Sequence, residues 1–234
     1  MRRKDHIQPS ELRGKMSDLF DLLTPAQRER FMQDMTLERY KKDAIIIYEG
    51  DLPTHLFCLI SGKVKIYKYG ISGRMQITQV IKPVQYFGYR AFFADQNYES
   101  TAAAFESSLV CKIPIQTIFE CVKENALLGL FFIRDLSLSL GQSNARTVNL
   151  TQKHVRGRLA EAILFLKDSY GLEEDEATLS IYMSREDLAN LSNMTTSNAI
   201  RTLSAFAAEK VIAIDGRKIK IIDMEQLMKI SKMG

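Results

Sequence analysis

The chain has 234 residues, 46% of them hydrophobic, and a formal net charge of +4 at pH 7. That is enough chain for two ordinary globular domains, and the charge permits nucleic-acid binding without demanding it. The longest unbroken apolar run, Ala126 to Ile133, stops at Arg134, far short of the ~20 residues a membrane-spanning helix needs.

Met1-Arg2-Arg3-Lys4 is followed by Asp5, His6 and Gln8 and not by an apolar stretch, so it does not read as a signal peptide. A cytoplasmic protein with no membrane partner is expected. Part of the basic excess lies in this arm, at Arg2, Arg3, Lys4, Arg13 and Lys15. Next, Thr24 is placed as the N-cap of a helix and Pro25 as its first residue.

From Tyr40 to Pro114 short strands alternate with turns. Ala44 to Tyr48 runs into Glu49-Gly50-Asp51, and Leu56 to Ile60 into Ser61-Gly62. Lys63 to Lys68 and Met75 to Thr78 alternate polar with apolar, as strands with one wet face do. Gly70-Ile71-Ser72-Gly73 is a hairpin loop between them. Strands this short and regularly punctuated predict a sandwich or a barrel-like roll. Cys58, Cys111 and Cys121 lack any C-x-x-C spacing; they read as free core thiols, not as a disulfide framework or a zinc site.

Beyond Pro114 the period becomes helical as far as Leu166. Ile133, Leu136, Leu140, Ser143, Thr147, Leu150 and His154 step by three and four, the spacing of a seam facing a partner helix. A seam against the chain's own core has the same spacing. Ser143 and Thr147 weaken a purely apolar explanation. The acidic run Glu173 to Glu176 reads as a solvated loop, and Thr178 to Tyr182 as a short strand.

Ser184 with Asp187 resembles a capping box opening a helix through Leu191. Ser192-Asn193-Met194 makes a turn, with Asn193 suited to a left-handed backbone. Thr195 caps a second helix to about Lys210, with Ala199, Leu203, Phe206 and Ala207 inward and Thr196, Ser197, Asn198 and Arg201 outward. Arg can engage guanine and Asn adenine through two bonds each in the major groove, while Thr195 and the first helical amides can hold a phosphate. The Asp215-Gly216 pair predicts a tight hairpin from Val211 to Ile222, a wing with Arg217, Lys218 and Lys220 near its tip.

Helix, turn, second helix and basic wing in this order resemble the DNA-binding domain of the cyclic-AMP receptor/FNR (CRP/FNR) family. The strand-rich segment, with Gly50-Asp51, Ser61-Gly62 and Gly70 at turns, resembles its cyclic-nucleotide-binding roll. The helix ending near His154 before Gly157-Arg158 resembles its dimerisation helix and hinge. The resemblance implies an α+β fold: an N-terminal β-roll (double-stranded β-helix), a long dimerisation helix and a C-terminal winged helix-turn-helix. The boundaries expected are a basic arm at 1–20, an effector roll with flanking helices at 21–132, the dimerisation helix and hinge at 133–155, and the DNA-binding domain at 156–234. It further implies a homodimer with Ile133, Leu136, Leu140, Thr147 and Leu150 at the interface. The dimer would read two-fold symmetric double-stranded DNA, with RNA polymerase as a partner.

The effector pocket implied by the resemblance comprises Gly88, Tyr89, Arg90, Glu99, Ser100, Thr101, Ser143 and Asn144. Members that bind cyclic AMP carry Gly-Glu at the first of these places and Arg-Ser or Arg-Thr at the second. Here Tyr89 supplies no carboxylate, and Glu99 sets negative charge where the phosphate would lie. Arg90 can swing in to compensate, although it is attached one residue too late to be an obvious substitute. The effector is therefore expected not to be cyclic AMP, and its identity stays open. An iron–sulfur cluster needs four thiolates and only three cysteines exist. Haem stays open at His6, His55 or His154, although a lone histidine is more often surface or core than ligand. Effector binding is expected to change helix packing at Ser143 to Thr147 and so set the spacing of the recognition helices.

No nucleophile–base pair, metal-binding H-E-x-x-H, Walker lysine or dinucleotide glycine pattern is present, so catalysis is not expected. The competing reading is a sensor, of haem or another small molecule, that acts through protein contacts and no longer reads DNA.

Overall fold

A computed structural model describes residues 9–71 and 73–233. Arg2, Arg3, Lys4, Asp5, His6, Gln8 and Ser72, singled out above, lie outside the described residues. The chain divides into two compact units, Met1–Lys68 with Gln79–Leu140, and Tyr69–Thr78 with Gly141–Gly234.

The first unit opens with helices α1 (Pro9–Lys15), α2 (Ser17–Phe20) and α3 (Pro25–Asp34). Thr24 caps α3 in a full capping box: its hydroxyl accepts from Gln27 N–H at 3.3 Å, and Gln27 Oε1 accepts from Thr24 N–H at 3.1 Å. Strands β1 (Thr36–Tyr40), β2 (Ile45–Ile47), β3 (His55–Ser61), β4 (Val64–Tyr69), β5 (Met75–Ile81) and β6 (Tyr86–Phe87) follow. After the short α4 (Tyr89–Phe93) come β7 (Thr101–Ala104) and β8 (Ser108–Pro114), then α5 (Ile115–Glu124) and the start of α6 (Ala126–Gln152). The strands form two four-stranded sheets, ordered β1-β8-β3-β6 and β2-β7-β4-β5. This is the roll.

The unbroken apolar run of β3 has a physical reason: the strand is buried on both faces. Leu56, Cys58 and Ile60 join Leu109, Cys111 and Ile113 of β8 in a core shared with Phe20, Phe31 and Ile118 of the helices. Phe57 and Leu59 point the other way, into the roll, with Val64, Ala102 and Val110. Alternation along a strand puts successive side chains on opposite faces, so one five-residue run seeds two cores.

Cys58 and Cys111 are register partners across β3 and β8, yet both are free buried thiols, as is Cys121 on α5. Burial raises all three thiol pKa values, that of Cys111 to about 12. A thiol is reactive only as its anion. The folded protein should therefore leave all three unmodified by a thiol-specific disulfide reagent at neutral pH, and release them on unfolding. Prompt stoichiometric reaction of any one would contradict this placement.

The second unit holds the rest of α6, then α7 (Val155–Tyr170), α8 (Arg185–Leu191), α9 (Thr196–Ala208), the hairpin β9 (Ile212–Asp215) with β10 (Lys218–Ile221), and α10 (Met224–Met233). Its buried residues include Leu159, Ile163 and Leu166 of α7, Leu188 of α8, Leu203 and Phe206 of α9, and Ile219 of the hairpin. Thr178 to Tyr182, expected as a strand, makes only isolated bridges, Leu172 with Leu179 and Thr178 with Lys220.

The long helix, expected from residue 133, begins at Ala126 and ends at Gln152. Its outward face also differs from the expected seam. Leu128, Phe132 and Leu136 lie four residues apart on the face that packs on the roll core, so Leu136 turns inward. Leu150 is half-buried. Ile133, Leu140 and Thr147 are exposed, and the exposed face runs Leu130, Ile133, Ser137, Leu140, Asn144, Thr147 and Thr151. It keeps the three–four step and rotates away from the core.

Candidate nucleic-acid interface

Ser184 caps α8, its hydroxyl accepting from Asp187 N–H at 3.0 Å and donating to Asp187 Oδ2 at 2.7 Å. The aspartate thus answers the serine side chain where a longer glutamate would reach the backbone. Asn193 takes φ 50°, the left-handed conformation expected for the turn. Met194 N–H donates to Ala189 O at 3.0 Å and closes that turn onto α8.

Thr195 caps α9, its Oγ1 accepting from Asn198 N–H at 3.2 Å. The hydroxyl hydrogen stays available to an acceptor, and the first amides of a helix have no intrahelical partner. Ala199, Leu203 and Phe206 are buried. Thr195, Thr196, Ser197 and Arg201 are exposed and Asn198 is half-buried, its Oδ1 accepting a bond from Arg201. The two candidate base-reading side chains are therefore held together before any DNA arrives. Ile200, 46% exposed, and Ser204 lie on the same outward side. An apolar side chain there suits a thymine methyl group.

The wing turns through two residues, Gly216 and Arg217, because Asp215 pairs with Lys218. Asp215 thus belongs to the strand and not to the turn. Gly216 takes φ 55°, and its carbonyl accepts from Arg185 Nη2 at 2.8 Å. Arg217 is exposed at the tip. The acidic loop is largely exposed, as expected, and Lys218 and Lys220 pair with it: Lys218 with Glu173 at 3.6 Å and Lys220 with Asp175 at 3.2 Å.

Two arginines that carry no sequence motif hold the helix-turn-helix. Arg146 donates to Ile77 O at 2.6 Å, Thr78 O at 2.9 Å and Leu191 O, the end of α8, at 3.0 Å. Burial among these neutral carbonyls lowers its pKa to about 10. Arg74 reaches Asn193 Oδ1 in the turn itself.

In the roll, Gly88 opens α4 at φ 87°, and a Cβ there would lie 2.6 Å from Phe57 Cδ2. Tyr89 is buried in the helical core and donates its hydroxyl to Asp135, so it does not face a ligand. Arg90 does swing in to Glu99, at 2.7 Å, its long guanidinium spanning the one-residue offset. The Arg90 guanidinium holds the Glu99 carboxyl below its usual range, so the carboxylate is compensated and not a lone repelling charge. Thr101 is buried and accepts from Glu49 N–H at 3.3 Å; Ser100 is half-buried. Ser143 and Asn144 are exposed residues of the second unit. Among the described residues no group of three or more His, Cys, Asp or Glu side chains is arranged to hold a metal, and no helix is long and apolar enough to cross a membrane.

A capped helix with hydrogen-bonding side chains outward, set on a two-turn helix and followed by a β-wing, defines a winged helix-turn-helix regulator. Residues 37–125 match the cyclic nucleotide-binding domain and residues 157–230 the Crp-like helix-turn-helix domain. The chain belongs to the CRP/FNR family of sequence-specific DNA-binding transcription regulators. It is 29% identical to electron transport regulator A of Shewanella oneidensis, over 83% of this chain and 79% of that protein. It is 27% identical to the anaerobic regulatory protein of Aggregatibacter actinomycetemcomitans, over 92% of this chain and 85% of that protein. Among solved structures, FixK2 from Bradyrhizobium japonicum superposes with TM-score 0.76 at 19% identity, over 84% of this chain and 96% of that one. The regulator CLP from Xanthomonas campestris superposes with TM-score 0.73 at 19% identity, over 85% and 99%.

Proposed function

We propose that this regulator acts in the cytoplasm as a homodimer, without catalytic activity, and reads a two-fold symmetric operator with α9 of each copy. The observation that carries this reading is the outward face of α9, where Asn198 and Arg201 are bonded to each other beside a capped helix start. Thr195 to Ser197 meet the backbone or base edges at that start, and Arg217 at the wing tip meets phosphate. Two copies presenting this face about one DNA turn apart specify a palindromic site. Promoter action then follows from contact with RNA polymerase. The chain's parts divide as an effector roll, a dimer helix ending at the hinge near His154, and the DNA-binding domain; residues 9–20, expected as part of a basic arm, instead form helices whose Leu12, Met16, Leu19 and Phe20 pack into the roll's core.

The effector site of this reading lies in the roll, at Gly88 to Thr101. It does not fit a cyclic nucleotide held in the usual manner. Arg90 is the sole cation between residues 88 and 101, and its guanidinium is already paired with Glu99. Tyr89 packs in the core and supplies no carboxylate for a ribose hydroxyl. A small molecule of other chemistry is the effector class left for this site.

The test is selection of an operator from a random duplex pool, followed by affinity measurements over a salt series. Arg201→Ala should cost ~1–3 kcal/mol on the selected operator and relax preference at one base position per half-site. Arg217→Ala should weaken operator and random duplex alike. No binding by the wild-type chain would favour a sensor acting through protein contacts, and equal losses on both duplexes for Arg201→Ala would remove its assigned role.

A further inference from the structure

The wing's lysines are already occupied. The loop after α7 doubles back along β10: Leu179 N–H donates to Ile219 O and Ile221 N–H to Ala177 O, each at 2.9 Å. This pairing carries the acidic run alongside the wing. Asp175 is pinned there by Ala177 N–H at 3.1 Å, Thr178 N–H at 2.8 Å and the Thr178 hydroxyl at 2.8 Å, and its carboxylate meets Lys220. Glu173 is fixed through its backbone, its N–H donating to Thr178 O at 2.7 Å, and its carboxylate meets Lys218. The Lys218 ammonium also lies 5.3 Å from the centre of the Tyr182 ring. Arg217, one residue earlier at the tip, is exposed and has no such partner among the described residues.

We propose that Glu173 and Asp175 are specificity-setting residues: built-in counter-charges that neutralise two of the wing's cations and so suppress sequence-independent attraction to DNA. The inference rests on the reading of α9 and the wing as the DNA interface. Non-specific affinity comes from cations that displace counterions from phosphates, each adding about 0.9 to the slope of log affinity against log salt. A lysine already paired with a fixed carboxylate displaces none, and it brings a negative charge towards the phosphates. Base-edge contacts by α9 are untouched, so the ratio of operator to random binding rises. The acidic loop thereby moves discrimination onto the recognition helix and leaves Arg217 as the wing's backbone contact.

The experiment measures binding of the full chain to a random-sequence duplex and to the selected operator over a salt series of about 50–300 mM. The variants are Glu173→Gln and, as a charge-matched control, Glu174→Gln, which removes the same charge from an exposed neighbour in the same loop. Glu173→Gln keeps the backbone bond to Thr178, and its thermal transition shows that the loop remains folded. Glu173→Gln should steepen the random-duplex slope by about 0.9 and tighten that binding about 3–10-fold at low salt, with a smaller gain on the operator. Glu174→Gln should leave the slope unchanged. Lys218→Ala should have little effect alone and cancel the gain in the Glu173→Gln background. Equal slopes for wild type and Glu173→Gln, or the same steepening from Glu174→Gln, overturn the proposal while leaving the DNA-binding reading intact. A wild-type chain that binds neither duplex defeats both.

Discussion

Gly62→Ala should destabilise the roll by about 2–5 kcal/mol, summing backbone strain and overpacking, and lower its melting temperature by roughly 5–20 °C. Gly62 follows β3 at φ 92°, where a Cβ is strained. That Cβ would also lie 2.4 Å from Ser108 Oγ, 2.7 Å from Ser108 Cα and 2.8 Å from Ser107 O. Two of these atoms are backbone, and the hydroxyl cannot swing away cheaply. Ser108 is fully buried and accepts from Lys63 N–H at 3.1 Å, with Glu106 O 2.9 Å away. Gly50 supplies the control. Its φ is 93° but nothing lies within 4 Å of an added Cβ, so Gly50→Ala should carry the backbone cost alone, about 1–2 kcal/mol. Calorimetry of both variants separates the terms, and equal losses would show that the contact with β8 is not what demands glycine at position 62.

Local chemistry made much of this molecule legible in its sequence. Thr24, Ser184 and Thr195 each cap the helix they precede, because a short hydroxyl before an apolar-periodic run has few other uses. Asn193 sits at positive φ in the turn for a similarly local reason. The pairs set by tertiary structure were not legible. Arg146 is one arginine on a long helix, and its three partners are carbonyls, which have no residue identity to read. The acidic loop is largely exposed, as expected, but its pairing with the wing was not legible because its lysine partners lie more than forty residues along the chain. Arg90 with Glu99 is legible only in part: the family register leaves the pair open, and the reach of a guanidinium closes it. The seam of α6 is the clearest case. Steps of three and four describe an inward and an outward face equally well, and only the roll core shows that Leu136 belongs to the first.

That rotation sharpens the dimer proposal into a contrast between neighbours. Leu130 and Ile133 are each 59% exposed and Leu140 is 63%, a run of apolar side chains along one face of one helix. Scattered exposed leucines need no explanation, but a row at heptad spacing presents a seam. In a two-fold pair, position 140 faces its own copy, so Leu140→Glu removes two buried leucines, each worth about 1.5–3 kcal/mol, and opposes two carboxylates. The variant should sediment as a folded monomer. Its affinity for a full operator should fall about 10²–10⁴-fold, because the second half-site is no longer reached by a tethered copy, while binding to an isolated half-site stays near wild type. Leu136→Glu, only four residues away, should instead lower the melting temperature, since that side chain packs on the roll core. A Leu140→Glu protein that remains dimeric, with operator affinity intact, would place the partner helix on some other face and remove the basis for a two-fold operator.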